Sequence, residues 1–116
     1  MDTPKVFIPN LSNHNFIDAK RYGQLVFITK GEQAKYSVNS MARCWAAAME
    51  DSKPTDYILL TSLNILCCIG CGMFAAKHKK LNILLWRRDR YIVREIIFNV
   101  EAELDLHELI KDEGDY

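Results

Sequence analysis

What this sequence lacks narrows its function before any motif is considered. It has no surplus charge of either sign, since 15 Lys and Arg balance 15 Asp and Glu. No global field therefore draws the chain to nucleic acid or to a membrane surface, and such a role would need a local patch. Gly-x-Gly-x-x-Gly and the Walker sequence are both missing, which removes two phosphate-loop signatures. There is no internal repeat and no low-complexity linker. The opening residues, Met-Asp-Thr-Pro-Lys, do not follow the charged-then-apolar plan of a signal peptide. The cysteines are not dispersed as in a secreted disulfide framework: Cys67, Cys68 and Cys71 crowd together and only Cys44 stands apart. Reduced thiols and a cytoplasmic location are expected.

Formal charge is also missing from one long run, residues 57–76, around which the chain is organised. Residues 58–76 followed by Lys77, His78, Lys79 and Lys80 meet the length and flank criteria of a membrane span. Thr61, Ser62 and Asn64 interrupt the run near one end, however, and the next apolar run, 81–86, is too short to span anything. The run is better read as a strand, a polar turn at Thr61 and Ser62, and a buried helix from Leu63 to about His78. Its small residues Cys67, Gly70, Cys71, Gly72 and Ala75 suit close packing against a sheet. No membrane partner is expected.

The remaining elements fall into order around this unit. Residues 5–9 form a short strand that Pro9 should end, because proline cannot donate to a ladder. A helical turn over 16–22 is broken by Gly23, and 24–29 read as a second strand. Ser37 is a good N-cap for a helix reaching about Asp51, with Val38, Met41, Trp45, Ala48 and Met49 on one apolar face. Ser52, Lys53 and Pro54 stop it. Strands at 81–86 and 91–98, joined by the tight polar link Arg87-Arg-Asp-Arg90, make an antiparallel hairpin.

From Glu95 onward eight acids face one lysine, and Leu104, Leu106, Leu109 and Ile110 suggest a short docking helix. The pattern predicts one α/β domain over 1–104 and an acidic C-terminal helix or tail over 105–116. The sheet is expected to be small, open and mostly parallel, with about five strands, a central buried helix and the C-terminal hairpin. An exposed edge in so small a sheet suggests a homo-oligomer.

In open α/β sheets, ligands sit beyond the carboxyl ends of the strands. The residues leaving each strand are polar: Asn10, Ser12, Asn13 and His14; Thr29 and Lys30; Thr61, Ser62 and Asn64; Arg87 and Arg88. The third group also opens a helix, whose first N–H groups favour an anion. Together they suit a phosphate-bearing small molecule. Thr61, Ser62 and Asn64 would hold the phosphate, Arg87 and Arg88 would neutralise charge, and His14 and Asn13 would read a base or sugar. The competing reading is that these residues only cap a helix and make turns.

Other constellations carry less. Cys68 and Cys71 have CxxC spacing, but their apolar surroundings fit small buried helix residues better than metal ligands. No metal or cofactor is expected. The basic residues Lys77, Lys79, Lys80, Arg87, Arg88, Arg90 and Arg94 should split between the two ends of the fourth strand, which makes a nucleic-acid surface a poor reading.

With Val6-Phe-Ile-Pro-Asn10, Tyr22-Gly-Gln-Leu-Val-Phe-Ile-Thr29, Asp56-Tyr-Ile-Leu-Leu-Thr61 and Leu81-Asn-Ile-Leu-Leu-Trp86 in view, the chain resembles small uncharacterised α/β proteins encoded by bacteriophages. The resemblance spans roughly residues 5–95 and implies a context: compact phage proteins that counter host defence, some by sequestering nucleotide signals. The expected function is therefore a non-enzymatic binding protein, a sponge for a nucleotide-derived signal in the cytoplasm of the infected host. The alternatives are a protein-interaction module that inhibits a host factor, or a phosphodiesterase using His14.

Overall fold

A computed structural model describes residues 3–12, 14–32 and 36–98. The uncharged run 57–76 is neither one helix nor a span: strand β3 (Tyr57–Leu59) ends before the polar turn, and helix α2 (Asn64–His78) follows. No described helix is long and apolar enough to cross a membrane.

Strands β1 (Lys5–Leu11), β2 (Gln24–Lys30), β4 (Lys80–Arg87) and β5 (Arg90–Ile97) complete a five-stranded sheet of order β2-β1-β3-β4-β5. The pairs β1/β2, β1/β3 and β3/β4 are parallel, and β4/β5 is antiparallel. The expected small, mostly parallel α/β sheet with its C-terminal hairpin is what the chain forms.

From β1 the chain moves outward to β2 through a 3-10 helix, Ile17–Tyr22. It then reverses across the sheet, through α1 (Val38–Ala48) to β3 and through α2 to β4. Right-handed crossovers running in opposite directions put their connections on opposite faces. Accordingly, Met41, Trp45 and Met49 of α1 and Leu66 and Phe74 of α2 pack with Phe7, Ile28, Ile58 and Leu81 on one face. Phe16 and Ala19 pack with Val6, Ile8, Leu59, Leu84 and Tyr91 on the other.

Local signals account for the element ends. The Ser37 hydroxyl accepts the Ser40 N–H at 3.1 Å and starts α1, as its sequence position predicts. Helix α1 stops at Ala48, and the Lys77 ammonium donates to the carbonyls of Met49 (2.8 Å) and Glu50 (3.0 Å). That contact satisfies orphan helix-end acceptors from the neighbouring helix. Val38 does not join the apolar face and is 56% exposed. Close approach of the helices needs Gly70: a Cβ there would lie 2.5 Å from Trp45 Cε2 and closer still to Cζ2. Trp45 is fully buried and its indole N–H donates to the Leu66 carbonyl at 2.9 Å.

Pro9 does not end β1, which runs on to Leu11. The pairing of β1 with β3 ends at Phe7↔Ile58, so by Pro9 the strand has a neighbour on one side only. Proline is tolerated where its missing N–H is not needed by a ladder. At the opposite end of the sheet the buried Asp56 carboxylate accepts the N–H groups of Lys5 (2.9 Å) and Lys53 (2.8 Å). The Asn82 amide donates to the carbonyls of Pro54 (2.7 Å) and Asp56 (2.9 Å), tying β4 to the same corner. The expected docking helix and the acidic tail lie outside the described residues.

Candidate functional site

The chain leaves β1 in one direction and β3 in the other, so the sheet's topological switch point lies between their carboxyl ends. A crevice is expected there. A cleft of about 480 Å³ opens at this place, lined by residues of the β1 exit, the β3 exit and the hairpin strands. Five of the residues expected to bind ligand, Asn10, Ser12, His14, Thr61 and Ser62, line it. Phe16, Leu59, Leu60 and Leu63 supply apolar wall, and Trp86 and Tyr91 close the side towards the hairpin.

Each polar residue is positioned by a local bond. Asn10 is buried: its amide donates to the Gly31 carbonyl (3.1 Å) and its carbonyl accepts from the Thr29 hydroxyl (2.8 Å). It thereby fastens the ends of β1 and β2, and Thr29 serves that lock. The Ser12 hydroxyl accepts the His14 N–H at 3.4 Å, folding the exit loop back on itself. The His14 ring meets Phe16 edge-on with centroids 6.2 Å apart. Asn15 accepts the Ile17 N–H at 2.9 Å and starts the 3-10 helix.

On the opposite rim, the Thr61 hydroxyl accepts the Leu63 N–H at 3.3 Å and lies 3.5 Å from the Cys67 sulfur. Neither Thr61 nor Ser62 caps α2 in the usual way. The N-cap position is Leu63, and among the described residues no side-chain cap hydrogen bond is made to the start of the helix. The N–H donors there, and the exposed Ser62 hydroxyl, remain open to a ligand acceptor. Asn64, the first residue of α2, is exposed and is not among the residues lining the cleft.

The arginines go elsewhere. Side chains alternate along a strand, so Trp86 and Arg87 leave β4 on opposite faces. Arg87 and Arg88 line a second, polar groove with Asp89, Arg90, Ile92 and Arg94. Among the described residues, no Lys, Arg, Asp or Glu lines the cleft itself. Asn13 lies outside the described residues. The assembled rim is therefore Asn10, Ser12, His14, Thr61 and Ser62, without the expected neutralising arginines.

Sequence reasoning missed the aromatic part of the site. Trp86 and Tyr91 are directly paired across the hairpin, and their rings are T-shaped with centroids 4.9 Å apart. Trp86 stays 51% exposed while Tyr91 is buried, and Tyr22 donates its hydroxyl to the Tyr91 carbonyl at 3.2 Å. Burial, with Asp18 adding to it, pushes the Tyr91 phenol above its ordinary value, so it stays protonated at neutral pH. The signal was present in the period of two: two aromatics flanking a tight turn must face each other.

Among the cysteines, Cys67 is buried beside Thr61 and Cys68 is exposed. Burial pushes the Cys71 thiol up to about 11, with Cys67 and Cys68 contributing, so it is a poor nucleophile. Among the described residues no group of three or more potential metal ligands comes together.

Comparison with curated proteins and with solved structures finds no match. A family model does match, over residues 4–100, and therefore over every element of the sheet. The chain belongs to the phage Pam3 gp32-like protein family.

Proposed function

We propose that this phage protein is a non-enzymatic binding protein that takes a nucleotide-derived small molecule into the cleft at the switch point, and so withholds a signal from host defence. One observation carries the reading: a half-exposed aromatic, Trp86, stands beside a rim of hydroxyl, amide and imidazole groups at the sheet's carboxyl edge. A base stacked on an aromatic face is stabilised by about 1–3 kcal/mol, whatever its sequence identity. The uncapped start of α2 and Ser62 offer donors to one phosphate oxygen. The neutral lining favours a ligand carrying little charge, such as a phosphodiester, over a free polyphosphate.

Binding is favoured over cleavage by the surroundings of His14. Its ring packs against Phe16, and no described hydroxyl is hydrogen-bonded to it as a nucleophile would be. The test is thermal unfolding of the purified protein with a panel of nucleoside monophosphates, cyclic mononucleotides and cyclic dinucleotides. A ligand at 100 times its Kd adds about 2.7 kcal/mol, which raises Tm on the order of 10 °C in a domain this size. The bound molecule should be recovered chemically intact by mass spectrometry. If no member of the panel raises Tm, the reading fails; if the ligand is recovered cleaved, the protein is an enzyme.

A further inference from the structure

The hairpin of β4 and β5 runs on past β3. Pairing of β3 with β4 ends at Leu59↔Leu84, so residues 85–87 and 90–92 continue together beyond it for about 10 Å. The chain's arginines collect at the end of this ribbon. Four of its six, Arg87, Arg88, Arg90 and Arg94, fall within residues 87–94, which hold no lysine. Lys77, Lys79 and Lys80 stand at the other end of β4, so the basic residues do split as the sequence suggests. The arginine half nevertheless stays together, in one groove whose lining carries a single acid, Asp89.

Their placement is regular. Arg87 and Arg90 are directly opposed across the two strands, with Cβ atoms about 5 Å apart on one face. Such a like-charge pair costs stability, and an anion lying between the two guanidinium groups relieves it. Arg90, Ile92 and Arg94 follow one another on that face, the two arginines about 13 Å apart with an apolar residue midway. Lysine serves where charge only guards a strand edge, whereas arginine adds a planar fork that grips two oxygens of one phosphate. An extended acidic peptide repeats its charges on one face about every 7 Å and would set one against Ile92. The two phosphate rails of a DNA duplex are separated instead by a major groove about 12 Å wide, which admits a two-stranded ribbon.

We propose that the arginine end of the hairpin binds the phosphate backbone of double-stranded DNA. Arg90 and Arg94 contact phosphates on either side of a major groove, and Arg87 and Arg88 add to the contact at the Arg90 side. Ile92 then faces the groove interior, where thymine presents a methyl group. The contact is electrostatic and selects no particular sequence. Arg87 leaves β4 on the face opposite Trp86, so the DNA surface is separate from the cleft. Duplex RNA, with its deep and narrow major groove, does not admit the ribbon.

Fluorescence anisotropy of a labelled DNA duplex of about 20 base pairs tests this across a salt series. The full-length protein is used, so that all of the chain's own acidic residues compete for the arginines. Four phosphate contacts predict a slope of log K against log salt of about −3.6, and a roughly 100-fold weakening from about 50 to about 200 mM salt. Arg90→Gln/Arg94→Gln should make the slope shallower by about 2 and weaken binding about 50-fold at about 0.1 M salt. Arg21→Gln/Arg43→Gln removes the same charge from the chain's other two arginines and should leave slope and affinity unchanged. No binding at about 50 mM salt, a wild-type slope shallower than about −2, or equal loss in the two double variants overturns the proposal. The first two of these outcomes need no variant to fold. Displacement of the labelled DNA by duplex RNA, or by a polyglutamate peptide of equal charge, as readily as by unlabelled DNA overturns it as well and assigns the groove to those anions.

Discussion

Adding a single methyl group at Gly70 should destabilise the domain, although general helix propensity predicts the opposite. In an exposed helix, Gly→Ala gains about 1 kcal/mol. At Gly70 the new Cβ would lie 2.5 Å from Trp45 Cε2, and Trp45 is fully buried with its N–H bound to the Leu66 carbonyl. A ring in that position has no free space to swing into, so either α1 and α2 move apart or the indole bond breaks. Overpacking costs about 1–3 kcal/mol and a lost hydrogen bond about 1 kcal/mol. The two costs exceed the gain, and the net expectation is a loss of about 1–3 kcal/mol. Gly72, two residues along the same helix, has nothing within 4 Å of a built Cβ and is exposed. Gly72→Ala should therefore stabilise by up to about 1 kcal/mol. Urea unfolding of both variants, followed by circular dichroism, reads the opposite signs directly. If Gly70→Ala is as stable as Gly72→Ala, Trp45 does not sit over Gly70 and the helix packing described above is wrong.

Two further predictions concern the other end of the sheet. The Ser52 hydroxyl and His78 Nε2 are 2.8 Å apart, and burial followed by the Lys77 charge lowers the His78 pKa from its ordinary 6.5, with Asp56 opposing. The unfolded chain therefore binds a proton that the folded one resists, so this contribution is complete above pH 6.5 and is lost as pH falls below it. Between pH 7.5 and 5.5 the Tm of wild type should fall more than that of His78→Gln; parallel curves would show His78 uncoupled from folding. Asp56→Ala strips acceptors from the Lys5 and Lys53 N–H groups and should cost about 3 kcal/mol in denaturant unfolding, whereas a loss under about 0.5 kcal/mol would contradict its role as a tie.

The parts of the fold legible in the sequence were those decided locally. The polar interruption at Thr61 and Ser62 was enough to divide 57–76 into strand and helix, and Ser37 marked the start of α1. Placement of β1 between β2 and β3 was not legible, because strand order depends on crossovers rather than on any residue. The length given to β1 was wrong for a related reason: whether Pro9 ends a strand depends on how far its neighbour extends, and β3 has only three residues. At the site, the β1 and β3 exits were found because they are consecutive loop residues at one edge. Arg87 and Arg88 looked equivalent to them, yet alternation along β4 sends Arg87 to the face opposite Trp86. Trp86 and Tyr91 face each other across the expected hairpin, but that Phe16 joins them at the wall of the cleft depends on contacts formed only in the folded chain.

The central claim is that a nucleotide-derived molecule occupies the cleft between the β1 and β3 exits, against Trp86. Calorimetric titration of the nucleotide that gives the largest rise in Tm, into wild type, Trp86→Ala and Arg87→Ala/Arg88→Ala, tests it most directly. Loss of the aromatic face should weaken binding by about 1–3 kcal/mol, roughly 5- to 150-fold in Kd. The arginine variant should bind as wild type does. Unchanged affinity in Trp86→Ala, with loss in the arginine variant, would place the ligand in the hairpin groove and contradict the account.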